Sequence, residues 1–180
     1  MHLMIDRIDT PIGALTIAAD DEGNLRAADF EEYEARMNRF LRRRYGADGY
    51  ALEPARARGA VAESIAAYFA GQLDAIDKIS VLTGGTEFQQ QVWGALRKIP
   101  CGTTLSYGAL AARIGRPAAV RAVGLANGSN PIPIVIPCHR VIGSDGTLTG
   151  YGGGLPRKRW LLAHEGVELP LGRGESPALR

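Results

Sequence analysis

Long apolar runs are missing from this chain. No stretch of its 180 residues reaches the roughly 18 consecutive apolar side chains that a membrane-crossing helix needs, so no membrane association is expected. Cysteine is scarce as well. Cys101 and Cys138 are the only two, which excludes a cysteine-rich zinc cluster and a disulfide-dense scaffold. The first residues, Met1-His2-Leu3-Met4-Ile5-Asp6, lack the basic-then-apolar pattern of an export signal, so the expectation is a cytoplasmic protein with reduced thiols. There is no internal repeat and no low-complexity segment, and neither a structural metal nor a cofactor is expected.

What is present suits a soluble globular protein: 46% hydrophobic residues and 22% charged ones, enough for one ordinary domain or two small ones with a real core. The formal net charge of +2 conceals an asymmetry. Residues 1–86 carry 10 basic and 14 acidic side chains and residues 87–180 carry 11 and 5, so the halves stand at −4 and +6. A basic half suggests a polyanionic partner, and the acidic half is not expected to face phosphate.

Along the chain, Met4–Ile8, Ala14–Ala18 and Asn24–Phe30 read as short antiparallel strands separated by turn-rich segments. Glu31–Tyr45 then has Met37, Phe40 and Leu41 at helical spacing, with acids early and Arg42-Arg43-Arg44 late, as the helix dipole favours. Val61, Ile65, Tyr68 and Phe69 mark the apolar face of a helix over about Arg58–Ala70, a core element. A short strand is expected over Ile76–Leu82, and Gly84-Gly85 as a domain boundary. Thr86-Glu87-Phe88-Gln89 has capping-box form and opens a helix lined by Phe88, Val92, Leu96 and Ile99.

Ser106–Ile114 and Ala118–Asn127 are two short helices across Gly115-Arg116-Pro117, a helix-turn-helix spacing, with Pro117 placed to enter the first turn of the second helix. That second helix is thin: Ala118, Ala119, Ala122, Gly124 and Ala126 with Arg121 as its only charge. It has no array for reading base edges. Two readings stand level at this point, close packing against a neighbouring element or close approach to nucleic acid.

The most informative run is Ile134–Ile142, two β-branched apolar blocks around Pro137-Cys138-His139-Arg140. It reads as a buried strand that Pro137 ends, so that Cys138 starts a turn. A lone cysteine in such a run is usually a small hydrophobe. A histidine and an arginine beside it cost desolvation energy unless they have partners, and nearby cations favour the nucleophilic thiolate. Gly143–Gly146 reads as a hairpin turn and Thr149–Gly154 as a close-approach loop suited to a planar ligand. The last helix, from near Pro156 to Glu165 with Gly166 as its C′ residue, ends on a carboxylate that opposes the macrodipole. Glu165 is therefore the candidate partner of His139.

Pro137-Cys138-His139-Arg140-Val141, the preceding helix-turn-helix, Asn130-Pro131 and Leu162-Ala163-His164-Glu165-Gly166 resemble the O6-alkylguanine-DNA alkyltransferases. The resemblance is strong over residues 83–168 and extends to residues 1–80 in layout. It implies an α+β chain with a ribonuclease-H-like sheet domain at 1–84, a winged-helix-like DNA-binding domain at 85–170, and a poorly ordered tail at 171–180. The implied activity is a single irreversible transfer of an alkyl group from O6-alkylguanine, and from O4-alkylthymine, in duplex DNA of any sequence, by a monomer. Cys138 would be the acceptor, activated through His139, a bridging water and Glu165, and braced by Asn130. Tyr107, Pro133, Val141, Tyr151 and Gly152 would form the base pocket, and Arg121, with Ala119, Ala122, Gly124 and Arg113, the DNA face. Gly152 stands where many relatives carry serine, and Cys101 where many carry an aromatic residue. The alternatives weighed are a non-catalytic binder of alkylated DNA, against which Cys138 argues, and a cysteine hydrolase, for which no second histidine has a suitable setting.

Overall fold

The structure, a computed structural model, describes residues 1–55 and 59–169. Arg58, at the expected start of the second helix, and the expected tail at 171–180 lie outside the described residues.

Strands β1 (His2–Thr10), β2 (Gly13–Asp20) and β3 (Leu25–Phe30) form an antiparallel ladder, in which Thr10 pairs with Gly13 across Pro11-Ile12. Gly13 takes a φ of 116° there, a conformation that a side chain would resist. The two faces of this sheet are both covered. Leu3, Ala18 and Ala27 lie under Met37 and Leu41 of helix α1 (Glu34–Tyr45). Ile8, Leu15, Ile17 and Phe30 face the opposite way, into a core that also holds Ile65 and Tyr68 of helix α2 (Ala60–Phe69). Strand β4 (Ala51–Pro54) extends the sheet parallel to β1, giving the order β3-β2-β1-β4. Its four exposed residues, ending in proline, carry no alternating signal, and the sequence did not reveal it.

Beyond Gly85 the regular structure of the described residues is mostly helical. Helix α3 (Glu87–Leu96) begins with the expected capping box, Thr86 accepting from the Gln89 amide and the Gln89 side chain from that of Thr86. Helices α4 (Tyr107–Arg113) and α5 (Val120–Gly128) form the helix-turn-helix, and α6 (Leu155–His164) closes the fold. Val92, Leu96, Leu110, Val123 and Leu161 bury their side chains in the same core that the sheet enters. The architecture is thus the expected α+β arrangement.

Four local expectations are corrected. Residues 76–82 contain no strand: Ala75–Lys78 is a 3-10 turn that buries Ile76 and Ile79, and a single bridge joins Val81 to Leu25. Two apolar residues three apart, split by Asp77-Lys78, suit a three-residue turn better than a ladder. Pro117 does not enter α5. Arg116 O accepts from Ala119 N at 2.9 Å, a turn that delays the helix to Val120. The run before Cys138 is not a strand either. Pro131, Pro133 and Pro137 remove three ladder donors, so residues 132–136 fold into a tight turn with Ile136 N donating to Ile132 O at 3.0 Å. Only β6 (Val141–Ile142) is extended, pairing in parallel with β5 (Leu105–Ser106). Finally, Gly143–Thr147 turns as expected, Gly143 N donating to Thr147 O at 2.8 Å, but no returning strand follows among the described residues.

Candidate active site

Asn130 shapes the turn that delivers Cys138. Its Nδ2 donates to Ile136 O at 2.7 Å and its Oδ1 accepts from Ile132 N at 3.0 Å. Between them Ile134 is forced to a φ of 74°, a strained conformation for a β-branched residue. Three prolines and one asparagine over-determine the turn, and it ends by placing Cys138 at the start of the 3-10 turn Cys138–Arg140. The thiol is buried. Burial pushes its pKa up, against the smaller opposing effects of Asn130 and the Lys158 ammonium.

The next two residues meet one carboxylate. Glu165, fully buried one residue past the end of α6, accepts from Arg140 Nε at 2.8 Å and Nη2 at 2.9 Å, and stands 2.8 Å from His139 Nε2. The expected His139–Glu165 pair is therefore formed. Arg140 also donates from Nη1 to Ile99 O at 2.6 Å, so each nitrogen of a guanidinium that would be costly in a core has a partner. Burial pushes the Glu165 pKa up, but the hydrogen bonds from His139 and Arg140 outweigh it and hold the group below the usual carboxylate range. Burial conversely holds His139 below its ordinary value. An ionised carboxylate only accepts, so the neutral ring carries its proton on Nε2. Nδ1, which is buried and has no protein partner, is left as the basic nitrogen.

The 149–154 loop is tied to α4 and α6. Tyr107, at the first position of α4, donates its hydroxyl to Thr149 O at 3.1 Å. Lys158 of α6 is fully buried and donates to three carbonyls, Val141 at 2.5 Å, Thr149 at 2.8 Å and Gly150 at 3.2 Å. Burial lowers its pKa to about 8, opposed by Cys138. Gly152 O accepts from Arg36 Nη1 at 2.8 Å, and burial raises the Tyr151 phenol well above its usual range. Of the expected pocket residues, Tyr107 opens α4, Val141 begins β6 directly after the Cys138–Arg140 turn, Pro133 is buried in the 132–136 turn, and Tyr151 and Gly152 lie in the 149–154 loop. The Tyr107 and Tyr151 phenols are near enough to Cys138 to interact with it electrostatically.

The remaining expected residues stand elsewhere. Arg121 and Ala122 are exposed on α5, Ala119 and Gly124 are half-exposed, and Arg113 is exposed at the end of α4. None of the five is part of the buried carboxylate cluster. Leu125 is 78% exposed on the same helix as Arg121. Sequence reasoning also missed three buried groups. Arg140 was visible as a misplaced charge but had no assigned partner. Lys158 sits in Arg157-Lys158-Arg159, which reads as a solvated helix face. Tyr68, whose hydroxyl donates to Glu165 Oε1 at 2.8 Å, matched a core stripe and nothing more. Cys101 is half-buried and unpaired with Cys138, and among the described residues no group of three His, Cys, Asp or Glu side chains is placed to hold a metal.

The sequence matches two family descriptions in tandem: the ribonuclease-like domain of 6-O-methylguanine DNA methyltransferase over residues 4–82, and its DNA binding domain over residues 87–167. The methylated-DNA–protein-cysteine methyltransferase of Salmonella typhimurium is 52% identical over 94% of this chain and 99% of its own length. That of Mycolicibacterium paratuberculosis is 52% identical over 91% and 92%. The crystal structure of Mycobacterium tuberculosis OGT in complex with DNA superposes with a TM-score of 0.73 at 44% identity, covering 92% of each chain. The chain belongs to the 6-O-methylguanine DNA methyltransferase family.

Proposed function

We propose that this protein repairs DNA by moving the alkyl group of O6-alkylguanine onto Cys138 in one irreversible turnover. The observation that carries the reading is the buried row from Cys138 through His139 to Glu165 and Arg140. Its one unpartnered ring nitrogen, His139 Nδ1, is the position from which a thiol proton can be accepted. A thiol whose pKa is raised by burial needs such a base. No direct Cys138–His139 hydrogen bond forms among the described residues, which supports transfer through a bridging water.

The reaction is an in-line displacement at the alkyl carbon. Sγ forms the S–C bond as the bond from carbon to guanine O6 breaks, and the proton lost by the thiol is the one the restored guanine regains. The balance closes without a co-reactant. The product is a thioether, which no neighbouring group can cleave, so each molecule acts once.

A base within a duplex cannot reach a buried sulfur and must leave the stack, at a cost of about a few kcal/mol that is smaller for a damaged base. Exposed Arg121 on the thin α5 would fill the vacated space, while Ala119, Ala122 and Gly124 allow close approach and Arg113 meets phosphate. Binding through backbone and shape suits action at any sequence, and makes affinity salt-dependent. Tyr107, Pro133, Val141, Tyr151 and Gly152 would receive the base, and Asn130 holds the acceptor turn. The same reading assigns a sheet domain to residues 1–84 and the reactive domain to 85–170, supported by family matches that end at 82 and resume at 87, in a cytoplasmic monomer.

The deciding experiment is incubation with duplex DNA containing O6-methylguanine, proteolysis, and mass measurement of the Cys138 peptide. The expected peptide carries one methyl in place of the thiol hydrogen. An unmodified peptide with tight DNA binding would leave a damaged-DNA binder instead.

A further inference from the structure

The carboxylate of Glu165 is shared beyond the His139–Arg140 row. Oε1 is the atom approached by His139 Nε2 at 2.8 Å, by Arg140 Nη2 at 2.9 Å and by the Tyr68 hydroxyl at 2.8 Å. Tyr68 lies on α2, in the sheet half of the chain and 97 residues from Glu165, and is fully buried. Its ring is held edge-on by Phe69 and His164, with centroids 5.2 and 5.1 Å away, so the hydroxyl points to the carboxylate by packing. Packing alone would be served equally by phenylalanine. A buried hydroxyl is retained only with a partner, and here that partner is the atom that orients the candidate base.

We infer that Tyr68 is a positioning residue for alkyl transfer: by donating to Glu165 Oε1 it competes with His139 Nε2–H for that oxygen, and so limits how firmly the imidazole holds a second proton. This inference rests on the function proposed above. An unshared buried carboxylate would stabilise imidazolium and hold His139 in the protonated form that cannot accept from a thiol. Arg140 neutralises the charge, and Tyr68 takes up part of the remaining lone-pair density. The other groups facing the pair are the Cys101 thiol near Glu165, Lys158 and Cys138 near His139, and His164 against the Tyr68 ring.

The test is the pH profile of the second-order rate constant for methyl transfer from O6-methylguanine duplex DNA. It is measured for the wild type, for Tyr68→Phe, and for protein with 3,5-difluorotyrosine placed at 68 by codon suppression. Removing the donor frees Oε1 for His139, raises the pKa of the ring, and moves the acid limb up by about 0.5–1 unit, roughly three- to tenfold in rate below the limb. The fluorinated phenol is a stronger donor and moves the limb down. Burial and then the adjacent carboxylate hold the Tyr68 proton far above its ordinary range, so the fluorinated ring remains a donor. Coincident acid limbs in all three proteins would overturn the inference. Should Tyr68→Phe not fold, the fluorinated protein decides alone. The assigned ring ¹⁵N shifts of His139, titrated without DNA, report the same coupling. They separate its failure from failure of the transfer reading, which would show as an unmodified Cys138 in the wild type.

Discussion

The two halves of the chain come to the site with different parts. Residues 87–167 bring the thiol, the imidazole, the carboxylate and the guanidinium. Residues 4–82 bring hydrogen bonds that hold those parts still. Ala28 N donates to Pro131 O at 2.9 Å beside the turn that carries Cys138, Arg36 Nη1 to Gly152 O at 2.8 Å in the 149–154 loop, and the Tyr68 hydroxyl to Glu165 Oε1 at 2.8 Å, the oxygen that His139 Nε2 also meets. By net charge the first half, at −4, looks unrelated to a site for a polyanion. Toward the acceptor turn, the 149–154 loop and Glu165 it sends a backbone amide, one arginine and a neutral hydroxyl, so its support of the site does not run through its acidic side chains. A half that supplies chemistry and a half that supplies rigidity make distinct predictions, because damage to the first removes the reaction and damage to the second weakens it.

The largest effect belongs to the acceptor. Cys138→Ala abolishes transfer while leaving DNA affinity within about threefold of wild type, measured by fluorescence anisotropy on the same duplex. Small core substitutions of this kind cost about 1 kcal/mol of stability. Residual transfer would require another nucleophile and would remove the turn at 130–138 from the centre of the mechanism.

Next is Glu165→Gln, which keeps the shape and removes the charge. Arg140 is then a buried guanidinium without a counter-ion, a change worth about 3–5 kcal/mol of stability, read as a lower urea midpoint. The methyl-transfer rate falls as well, since neither tautomer nor orientation of His139 is fixed. An unchanged rate in protein shown to be folded would leave Glu165 a purely structural anchor.

Stability should also fall in two stages as pH is lowered. His139 is buried with its pKa below the ordinary 6.5, so the unfolded chain takes up a proton first. The contribution of a neutral buried ring is complete above about pH 6.5 and is lost below it. Glu165 is likewise depressed, and its contribution is complete above the ordinary carboxylate value of 4.5 and lost as pH falls through the lower folded value. Chemical denaturation at a series of pH values should show the first loss, which sets in as pH falls below about 6.5, disappear in His139→Gln while the second remains.

How much of this was legible depends on whether a residue violates its surroundings. His139 and Arg140 stand out because charges interrupt an apolar run, and Glu165 because a carboxylate sits at the wrong end of a helix. Each violation marked a real partner. Tyr68 violates nothing: it falls on the apolar stripe with Val61, Ile65 and Phe69, and only its last atom differs from phenylalanine. Lys158 is hidden for the opposite reason, as one cation among three in a helix that should be solvated. The turn at 132–136 was misread because β-branched residues favour strands, while three prolines within seven positions, 131 to 137, remove the donors that a strand uses.

The smallest expected effect tests the seam from the reactive side. Arg157 of α6 reaches back across it, donating from Nε to Ile12 O at 2.6 Å, pairing with Glu32 at 2.6 Å, and lying 4.0 Å over the Phe30 ring. It also donates to Gly153 O at 3.0 Å, so one side chain ties the sheet half to the 149–154 loop. Its side chain is only 18% exposed, which limits screening by water. Arg157→Ala should cost about 1–2 kcal/mol, one hydrogen bond to a charged group net of the water that replaces it, and slow transfer less than Glu165→Gln does. Arg157→Lys keeps the charge but lacks the planar fork, so it should recover the ion pair without the contacts to Ile12 and Gly153 together, and restore less than half of the lost stability. Full recovery by lysine would mean that the Glu32 pair alone holds the seam, and that the halves are joined by surface charge. Loss of rate without loss of stability in Arg157→Ala would place Arg157 with the chemistry, and the division between a reactive half and a supporting one would then fall inside α6.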